Sequence, residues 1–377
     1  MALELRKSFV LAGLALGAVF VAAQALGDSK TALLGGCSRQ HGQHNIAASR
    51  EQLDALLDCH LDGITIALQP GEYGRINMDD VKGLTLTSVD PSKPASFEAI
   101  VINRGNHITL NQLNLAGSTT GLPWRLQILS SNDIDASKID LSGGGDYSEA
   151  TPGGVYVRWG HRVSLTRFKV STVMNGIRLL DSSQVTVSDN LIHDFRSDAI
   201  QGSASSQLVI SGNYIWRAHP APGDHPDGVQ IFALANQSSA SDILIRDNLI
   251  ERGSGGLTQG IYVTSDKNPF INLQIINNLV IGSMYHGITV ARANGGEIRD
   301  NVVVPIGGQK NWIMLVNAPS LVLEGNVAQD LIKDKVLLAP GAGLGKNRRS
   351  ITSEKEATAK SNAWKDRHFP GELRDGS

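Results

Sequence analysis

Cysteine, aromatic residues and net charge are all scarce in this chain. Of 377 residues, 2 are cysteine, 5% are aromatic, and 34 Lys and Arg against 36 Asp and Glu leave a net charge of -2. That balance excludes a polybasic nucleic-acid-binding protein, and a hydrophobic share of 41% excludes a disordered chain. Cys37 and Cys59 are too few for a disulfide scaffold and lack a zinc or redox spacing, so they allow one disulfide at most.

Long apolar runs are also rare: the chain has one near the N-terminus, and no second one follows. It extends over 9–23, follows two basic residues and ends at small residues of the kind that a signal peptidase reads. The pattern predicts a signal peptide over 1–25 and a secreted or periplasmic protein. An uncleaved membrane anchor is the alternative, although the run is shorter than the roughly 20 residues that span a bilayer. Export would let Cys37 pair with Cys59, whereas a reduced, buried pair is the alternative.

An internal repeat dominates the rest of the sequence. Short β-like runs end in the phrases SDNLI, SGNYI, RDNLI, INNLV, RDNVV and EGNVA, whose asparagines are spaced 23, 35, 30, 23 and 25 residues apart. Such a period, with alternating β-branched residues and insertions in only some units, is typical of a solenoid of strands, here of about ten coils. We assign a structural role to the asparagines, which can hydrogen-bond from coil to coil. They are Asn190, Asn213, Asn248, Asn278, Asn301 and Asn326.

A second series of strands runs ahead of the asparagine series. Side chains alternate across a strand, so one residue of each strand in this series should point into a continuous apolar core. The expected core residues are Val155, Ile177, Ile200, Val229, Ile261, Ile288 and Ile313.

A solenoid needs a cap at its end, and the sequence offers one. Ser49 is predicted to cap an amphipathic helix over 50–59. The chain then divides into the signal peptide, an N-terminal cap over 26–60, a parallel β-helix over 61–340 and a polar, loosely packed C-terminal tail over 341–377.

These features together resemble the right-handed parallel β-helix proteins of the pectate lyase superfamily. The resemblance covers roughly 49–338 and includes a helical cap, a strand that ends in Pro70-Gly71-Glu72-Tyr73, and coils with asparagine turns. It implies an all-β fold, a single-stranded right-handed parallel β-helix with an N-terminal capping helix. It also implies an acidic polysaccharide as the substrate, bound in a long groove along the stacked strands.

Two rows of polar residues are expected to face solvent on the strands of the second series. The first row places Asp198 and Asp227 side by side in consecutive coils, and like charges that close are unfavourable unless a shared proton, a bound cation or a nearby Arg uses them. The alternative interpretation is structural, namely a solvated polar face in which each Asp caps a strand. The first row reads Asn175, Asp198, Asp227, Gln259, His286, Asn311, and the second reads Tyr156, Arg178, Gln201, Gln230, Tyr262, Thr289, Met314.

The longest repeat carries an insertion that should border the groove. It contains His219 and His225, which we expect to overhang the carboxylates. Further candidates for substrate binding are Gln259 in the first row, and Lys267 and Arg292 beyond the strand ends, which could reach a polyanionic chain.

The resulting hypothesis is a lyase that cleaves a uronate-containing polysaccharide by β-elimination. A cation or amide and Arg donors would neutralise the uronate carboxylate, a base would remove the C5 proton, and the bond at C4 would break. Calcium is a candidate cofactor, held by Asp198 and Asp227. Otherwise Gln201, Gln230 and Arg178 would hold the carboxylate directly, with His225 or His286 as base and Tyr262 as acid.

Three alternatives remain open from the sequence. A C5-epimerase would use the same parts. A glycoside hydrolase would use the aspartate pair, and Tyr285-His286-Gly287-Ile288 is similar to the His-bearing strand of the polygalacturonases, but their third aspartate is missing here. A non-catalytic carbohydrate-binding β-helix is the third. We expect no nucleic-acid partner, no membrane span after signal cleavage, and a monomer.

Overall fold

The computed structural model describes residues 44–59, 62–339, 345–350 and 352–373. The predicted signal peptide and Cys37 lie outside the described residues, so cleavage and the pairing of Cys37 with Cys59 stay predictions. Strands are the predominant secondary structure, and each coil passes through three sheets in turn, which we name A, B and C. The predicted all-β, right-handed parallel β-helix is confirmed. Within the described residues, no helix is long and apolar enough to cross a membrane.

Sheet A opens each coil and supplies one wall of the core. Its strands alternate buried and partly exposed side chains, as expected for a sheet with one face on the core. The 12 strands, in order, are His44–Ala47, Ile64–Leu68, Lys82–Ser88, Asn106–Asn111, Asn132–Ser137, His161–Thr166, Ser183–Ser188, Ser206–Ser211, Ser241–Arg246, Phe270–Ile276, Ala293–Arg299 and Val322–Glu324.

Sheet B follows after a sharp turn, in which a residue such as Asp247 takes a left-handed backbone conformation at φ 54°. Its strands are short. The 11 strands are Ser96–Phe97, Asn114–Leu115, Asp140–Ser142, Lys169–Val173, Leu191–Phe195, Tyr214–Ala218, Leu249–Glu251, Leu279–Ile281, Val302–Val304, Val327–Ala328 and Arg348–Arg349.

Sheet C follows after loops of variable length and carries the predicted site. All its strands pair in parallel except the last two, which pair antiparallel. The 12 strands are Arg75–Asp79, Ala99–Asn103, Trp124–Leu129, Gly153–Arg158, Ile177–Leu180, Ile200–Ser203, Asp227–Ala233, Gln259–Ser265, Tyr285–Ala291, Asn311–Val316, Asp330–Lys333 and Val336–Leu337.

Twelve strands in each of two sheets correspond to about twelve coils in the described residues, against the ten or so predicted. The seven predicted core residues lie in one register along sheet C and are all fully buried, so that prediction is confirmed.

Small residues before the sheet C strands let adjacent coils approach closely. A Cβ added at Gly176 would lie 2.3 Å from the carbonyl oxygen of Ala199 in the next coil. The recurring glycine of the second series therefore answers a steric demand of coil stacking.

The asparagine ladder is present and buried. Each asparagine donates from its backbone N–H and from Nδ2 to Oδ1 of the next one; Asn213, for example, donates to Asn248 at 3.0 and 2.9 Å. Its Nδ2 also donates to the carbonyl of Val187 in sheet A. The predicted structural role is confirmed, and the ladder extends one step further than predicted, to Asn347.

Helix α1, Arg50–Asp58, covers the N-terminal end. Ser49 caps it as predicted by accepting a hydrogen bond from Gln52 N–H, and Leu53 and Leu56 are buried.

The chain beyond Pro340 differs from the expected loosely packed tail wherever it is described. Arg348–Arg349 adds a strand to sheet B, and helix α2, Glu354–His368, packs on the outer face of that sheet. Trp364 of α2 is 4% exposed and donates from Nε1 to the carbonyl of Asp247. The helix went unrecognised because its buried face consists of only Ala357, Ser361 and Trp364, too few to give an apolar periodicity.

Candidate functional site

The outer face of sheet C carries the second predicted row in register. Arg178 pairs with Gln201, Gln201 with Gln230, Gln230 with Tyr262, and Tyr262 with Thr289. Their backbones are therefore stacked about 4.8 Å apart along the helix axis. All are partly exposed except Thr289, which is buried. The row predicted from the repeat thus forms a continuous polar strip.

The aspartates of the first row are not on the surface, which corrects the expectation that they face solvent. Asp198 is 4% exposed and Asp227 is 1% exposed. Gln201 Nε2 donates to Asp198 Oδ2 at 2.5 Å, and Gln230 Nε2 donates to Asp227 Oδ2 at 2.7 Å. The amides fold back over the carboxylates because each Gln lies three residues after its Asp, at the point where the chain bends from loop into strand.

The two carboxylates and two amides form one connected network. Asp198 Oδ1 accepts the backbone N–H of Asp227 at 3.0 Å, and Gln201 Nε2 also donates to Gln230 Oε1 at 3.0 Å. Both oxygens of Asp198 are therefore occupied by N–H donors. The geometry brings the predicted aspartate pair together, but the side chains that face the groove are the amides of Gln201 and Gln230, not the carboxylates.

Burial and mutual repulsion favour protons on the pair. Burial raises the pKa of Asp198 to about 6, although hydrogen bonds from Asp227 N–H and Gln201 oppose the rise. Burial also raises the pKa of Asp227 well above its usual range, and the adjacent charge of Asp198 raises it further. Of the three uses weighed for this pair, a shared proton fits these surroundings best.

Unpaired oxygens around the pair also favour a proton on one of the two aspartates. Gln201 Oε1, Asp227 Oδ1 and Gln259 Oε1 are buried and accept no hydrogen bond from any described residue. Gln259 lies opposite Asp227 in the ladder. A proton on Asp227 would add a donor where acceptors are in excess.

A calcium ion held by Asp198 and Asp227 stays a prediction. The part of the chain that the structure describes contains no group of three or more His, Cys, Asp or Glu side chains arranged to hold a metal. The N–H donors at Asp198 also occupy the lone pairs that a cation would need.

A phenol and an imidazole lie one and two coils, respectively, beyond the pair. The Tyr262 and His286 rings meet edge to face at a centroid distance of 5.1 Å. Burial lowers the pKa of His286, so the ring is neutral near pH 7. Burial raises the pKa of Tyr262, and ionisation of Asp227 would raise it further, so the phenol stays protonated.

Thr289 fixes the orientation of His286, and sequence reasoning did not give it this role. His286 Nδ1 lies 2.7 Å from Thr289 Oγ1, whereas Nε2 has no hydrogen-bond partner among the described residues. The spacing of three residues is the one that joins Asp198 to Gln201 and Asp227 to Gln230, and that repetition could have revealed the pair. Trp312 also contacts the imidazole edge to face, at 5.5 Å.

The first predicted row ends differently from expectation. His286 pairs with Trp312, and Tyr285 pairs with Asn311, because a bulge lies between His286 and Ile288. Asn311 is therefore one residue out of the predicted alignment. A periodic reading of the sequence cannot register such an irregularity.

The two histidines of the loop over 219–226 lie in different surroundings, and only one of them is near the aspartate pair. His225 is exposed and close enough to Asp198 for its charge to oppose the rise of that pKa. His219 instead binds Asp194 through Nε2 at 2.7 Å and stacks on Tyr147, so the structure does not bring it over the pair. Its backbone N–H continues the ladder of sheet B, which holds it on that side.

Lys267 and Arg292 lie at the far end of the sheet C strands. Arg292 Nη1 donates to the carbonyl of Ser265, and Ser265 follows Gln259 by six residues along one strand. At about 3.3 Å per residue, these cations are roughly 20 Å from the aspartate pair. They could contact only a more distant part of a bound chain.

Comparison with known proteins places this geometry in context. The family model described as "Right handed beta helix region" matches residues 76–238 and 126–303. A search of curated proteins found no significant match. Among solved structures, DFA-IIIase from Arthrobacter chlorophenolicus A6 aligns with a TM-score of 0.50 at 10% identity, covering 83% of this chain and 86% of that chain. This likeness concerns the fold alone.

Two other solved structures are less similar. A mutant of the PL6 family alginate lyase AlyGC aligns with a TM-score of 0.43 at 11% identity, over 82% of this chain and 54% of that chain. A double mutant of the periplasmic alginate epimerase AlgG aligns with a TM-score of 0.42 at 14% identity, over 72% of this chain and 63% of that chain. The chain thus matches about half of the lyase and less than two thirds of the epimerase.

Proposed function

This chain belongs to the right-handed beta helix family, and on that basis we propose that it is a polysaccharide-active enzyme, a lyase that cleaves a uronate-containing chain by β-elimination. The observation that carries the proposal is a neutral His286 beside a protonated Tyr262, in one polar strip with Arg178 and two fixed amides. The predicted signal peptide supports action outside the cytoplasm.

His286 is the proposed base. In the tautomer that the mechanism requires, Nδ1–H donates to Thr289 Oγ1, 2.7 Å away, and the lone pair of Nε2 is free to take the C5 proton of a uronate. Because burial lowers the pKa of His286, the ring is ready to accept a proton at and below neutral pH.

Tyr262 is the proposed acid. As the C5 proton moves to His286, the electron pair forms the C4–C5 double bond and the bond from C4 to the glycosidic oxygen breaks. The departing oxygen takes the phenolic proton, which the raised pKa of Tyr262 keeps in place until that moment. His286 and Tyr262 then exchange the extra proton through solvent.

Arg178 and Gln230 are the proposed partners of the uronate carboxylate, whereas Gln201 already donates both Nε2 protons, to Asp198 and to Gln230. Neutralising that carboxylate stabilises the negative charge that develops when C5 loses its proton. Gln230 keeps one Nε2 proton beyond its bond to Asp227, and Arg178 makes no ion pair with any described residue. Asp198 and Asp227 act as positioning residues in this scheme, because they hold the amides in place.

The burial of Asp198 and Asp227 argues against a glycoside hydrolase. Hydrolysis by two carboxyl groups needs both of them to reach the glycosidic bond. Here the predicted pair lies beneath Gln201 and Gln230, and Asp227 is 1% exposed.

The deciding experiment is incubation of the purified protein with a panel of polyuronates, with and without Ca²⁺, while the ultraviolet absorbance of the unsaturated uronate is followed. A rise on any polymer supports the lyase. New reducing ends without that absorbance would establish a hydrolase instead, and deuterium incorporation at C5 without cleavage would establish an epimerase. A chain that only binds the polymer would contradict the assignment of an enzyme.

The variant His286→Asn tests the proposed base. It should lower turnover by about a hundredfold or more, because positioned proton transfer contributes at least that much. The matched control is His161→Asn, since His161 lies on sheet A bound to Ser183 and should leave turnover unchanged. Equal rates for the two variants, with equal melting temperatures, would remove His286 from the mechanism.

A further inference from the structure

A cleft of about 690 Å³ lies on a different face of the solenoid from the polar strip. It is bounded by the turns between sheets A and B, by the first strands of sheet B, and by the end of α2. None of its lining residues belongs to sheet C, so it is separate from the site described above.

Four cations surround this cleft, namely Lys138, Arg167, Lys169 and Arg367. All four are exposed, and none makes an ion pair or a side-chain hydrogen bond with another described residue. Elsewhere the surface arginines of sheet A are paired, as Arg162 is with Asp133.

The lining also contains three carboxylates, Asp140, Asp189 and Glu372. None of them approaches the cations within ion-pair distance, although Asp140 and Lys169 lie side by side in the ladder of sheet B. The cleft therefore keeps a small excess of positive charge.

Two of the cations are stacked in a way that the fold does not require. Lys138 and Arg167 occupy the left-handed turn position of consecutive coils, and the N–H of Lys138 bonds to the coil that carries Arg167. Like charges at neighbouring positions of adjacent strands are destabilising. Later coils place Asp189, Asp247 and Asp300 at this position, so the turn itself accepts an acid.

The apolar residues beneath the cleft, Leu113, Phe168, Leu191 and Phe369, are buried and offer little surface to a ligand. The accessible lining is therefore dominated by the cationic rim. Such a rim matches a ligand that carries carboxylates, because charge-assisted hydrogen bonds to carboxylates are strong.

We propose that this cleft is a second binding site, remote from the reaction, for an acidic oligosaccharide. The choice of a uronate as ligand rests on the proposed function, whereas the preference for an anion rests on the cleft alone. Such a site would hold the polymer on the enzyme while the sheet C groove acts on another segment, so its effect grows with chain length.

The test measures binding without turnover. Affinity electrophoresis in gels that contain a polyuronate is run with His286→Asn as the background, so that the polymer stays intact. Adding Arg167→Gln and Lys169→Gln should weaken binding by about tenfold, because charge-assisted hydrogen bonds to carboxylates are lost. The loss should shrink at high salt, which screens exposed charges.

The matched control carries Lys82→Gln and Lys335→Gln, two exposed lysines outside the cleft, and should bind within about twofold of the background. An equal loss in both double variants would reduce the effect to net charge and overturn the proposal. No loss in either would overturn it as well. Equal melting temperatures establish that the variants are folded.

Two further arms separate the sources of the anion and the two proposals. A neutral polysaccharide should not be retarded, and inorganic phosphate that displaced the polyuronate at equal ionic strength would overturn the sugar assignment. Wild-type protein that binds through the cleft but never cleaves would leave the cleft standing and refute the lyase. Cleavage that is unaffected by the cleft variants, on short and long polymers alike, would support the lyase and refute the second binding site.

Discussion

Side chains three residues apart are bonded to each other in three coils of the polar strip. Asp198 binds Gln201, Asp227 binds Gln230, and His286 binds Thr289. Asp198 stands just before its sheet C strand, Asp227 and His286 stand at the start of theirs, and the later residue of each pair lies further along the strand. The contact fixes the rotamer of a groove side chain before any ligand arrives, and such preorganisation lowers the entropic cost of binding.

The buried aspartates should make the stability of the protein depend on pH. Folding raises the pKa of Asp198 to about 6 and raises that of Asp227 well above its usual range, so the native state binds more protons than the unfolded state. Their contribution is fully present below the unfolded pKa near 4 and is lost as the pH rises through the folded values.

Asp227→Asn should therefore flatten this dependence. The drop in the free energy of unfolding between about pH 5 and pH 8, measured by urea denaturation, should shrink by at least about 1 kcal/mol. The control Asp135→Asn alters an exposed aspartate of sheet A and should leave the drop unchanged. If Asp227→Asn instead lowered stability equally at both values, the residue would be an ionised structural acceptor.

At the scale of the element, the buried asparagine ladder joins sheets A and B in successive coils. Each amide serves two coils, because it bonds to a sheet A carbonyl and to the next asparagine. The two apolar residues after each asparagine, as in NLI and NYI, occupy opposite faces of a sheet B strand. Both faces are buried there, one on the core and one under α2. The doubled apolar residue was a readable sign that something covers sheet B.

Asn248→Ala tests the ladder. It leaves the backbone N–H of Asn213 buried without its acceptor and removes the hydrogen bonds to Asn278 and to the carbonyl of Ile210, which should cost about 3 kcal/mol or more in the free energy of unfolding. Asn294→Ala removes an exposed asparagine that makes one hydrogen bond, to Ser320, and should cost less than about 1 kcal/mol. Similar losses in urea denaturation for both variants would show that the ladder adds little.

At the scale of the whole molecule, α2 completes the solenoid by covering the outer face of sheet B. Trp364 packs among Tyr214, Leu249 and other apolar residues of that face, and Lys365 forms an ion pair with Glu251 at 2.8 Å. A segment distant in sequence thus buries a surface that the repeats leave apolar.

Trp364→Ala should release α2 from that surface. Amide hydrogen exchange should rise throughout α2 while the sheet C strands stay protected, because the helix docks through few residues. Trp159→Ala is the control, since Trp159 is 53% exposed and its loss should leave exchange in α2 unchanged. Unchanged exchange after Trp364→Ala would mean that other contacts hold the helix.

The sequence by itself determined the β-helix, its core column, the asparagine ladder, the capped N-terminal helix and the outer row of sheet C. All but the helix share one cause, because each repeats at the period of the coil, and residues in equal positions of successive coils must meet. The helix is determined by its cap residue and its apolar stripe. Such a pattern is local and visible in one chain.

Only the tertiary structure decided what depends on single departures from that period. The bend before sheet C buried Asp198 and Asp227 under their glutamines, a bulge moved Asn311 out of line, and the course of one loop took His219 to Asp194. The docking of α2 on sheet B and the cleft at its end likewise bring together segments that no repeat relates. Periodicity fixes which residues stack, whereas burial and charge at a site depend on the three-dimensional surroundings of each side chain.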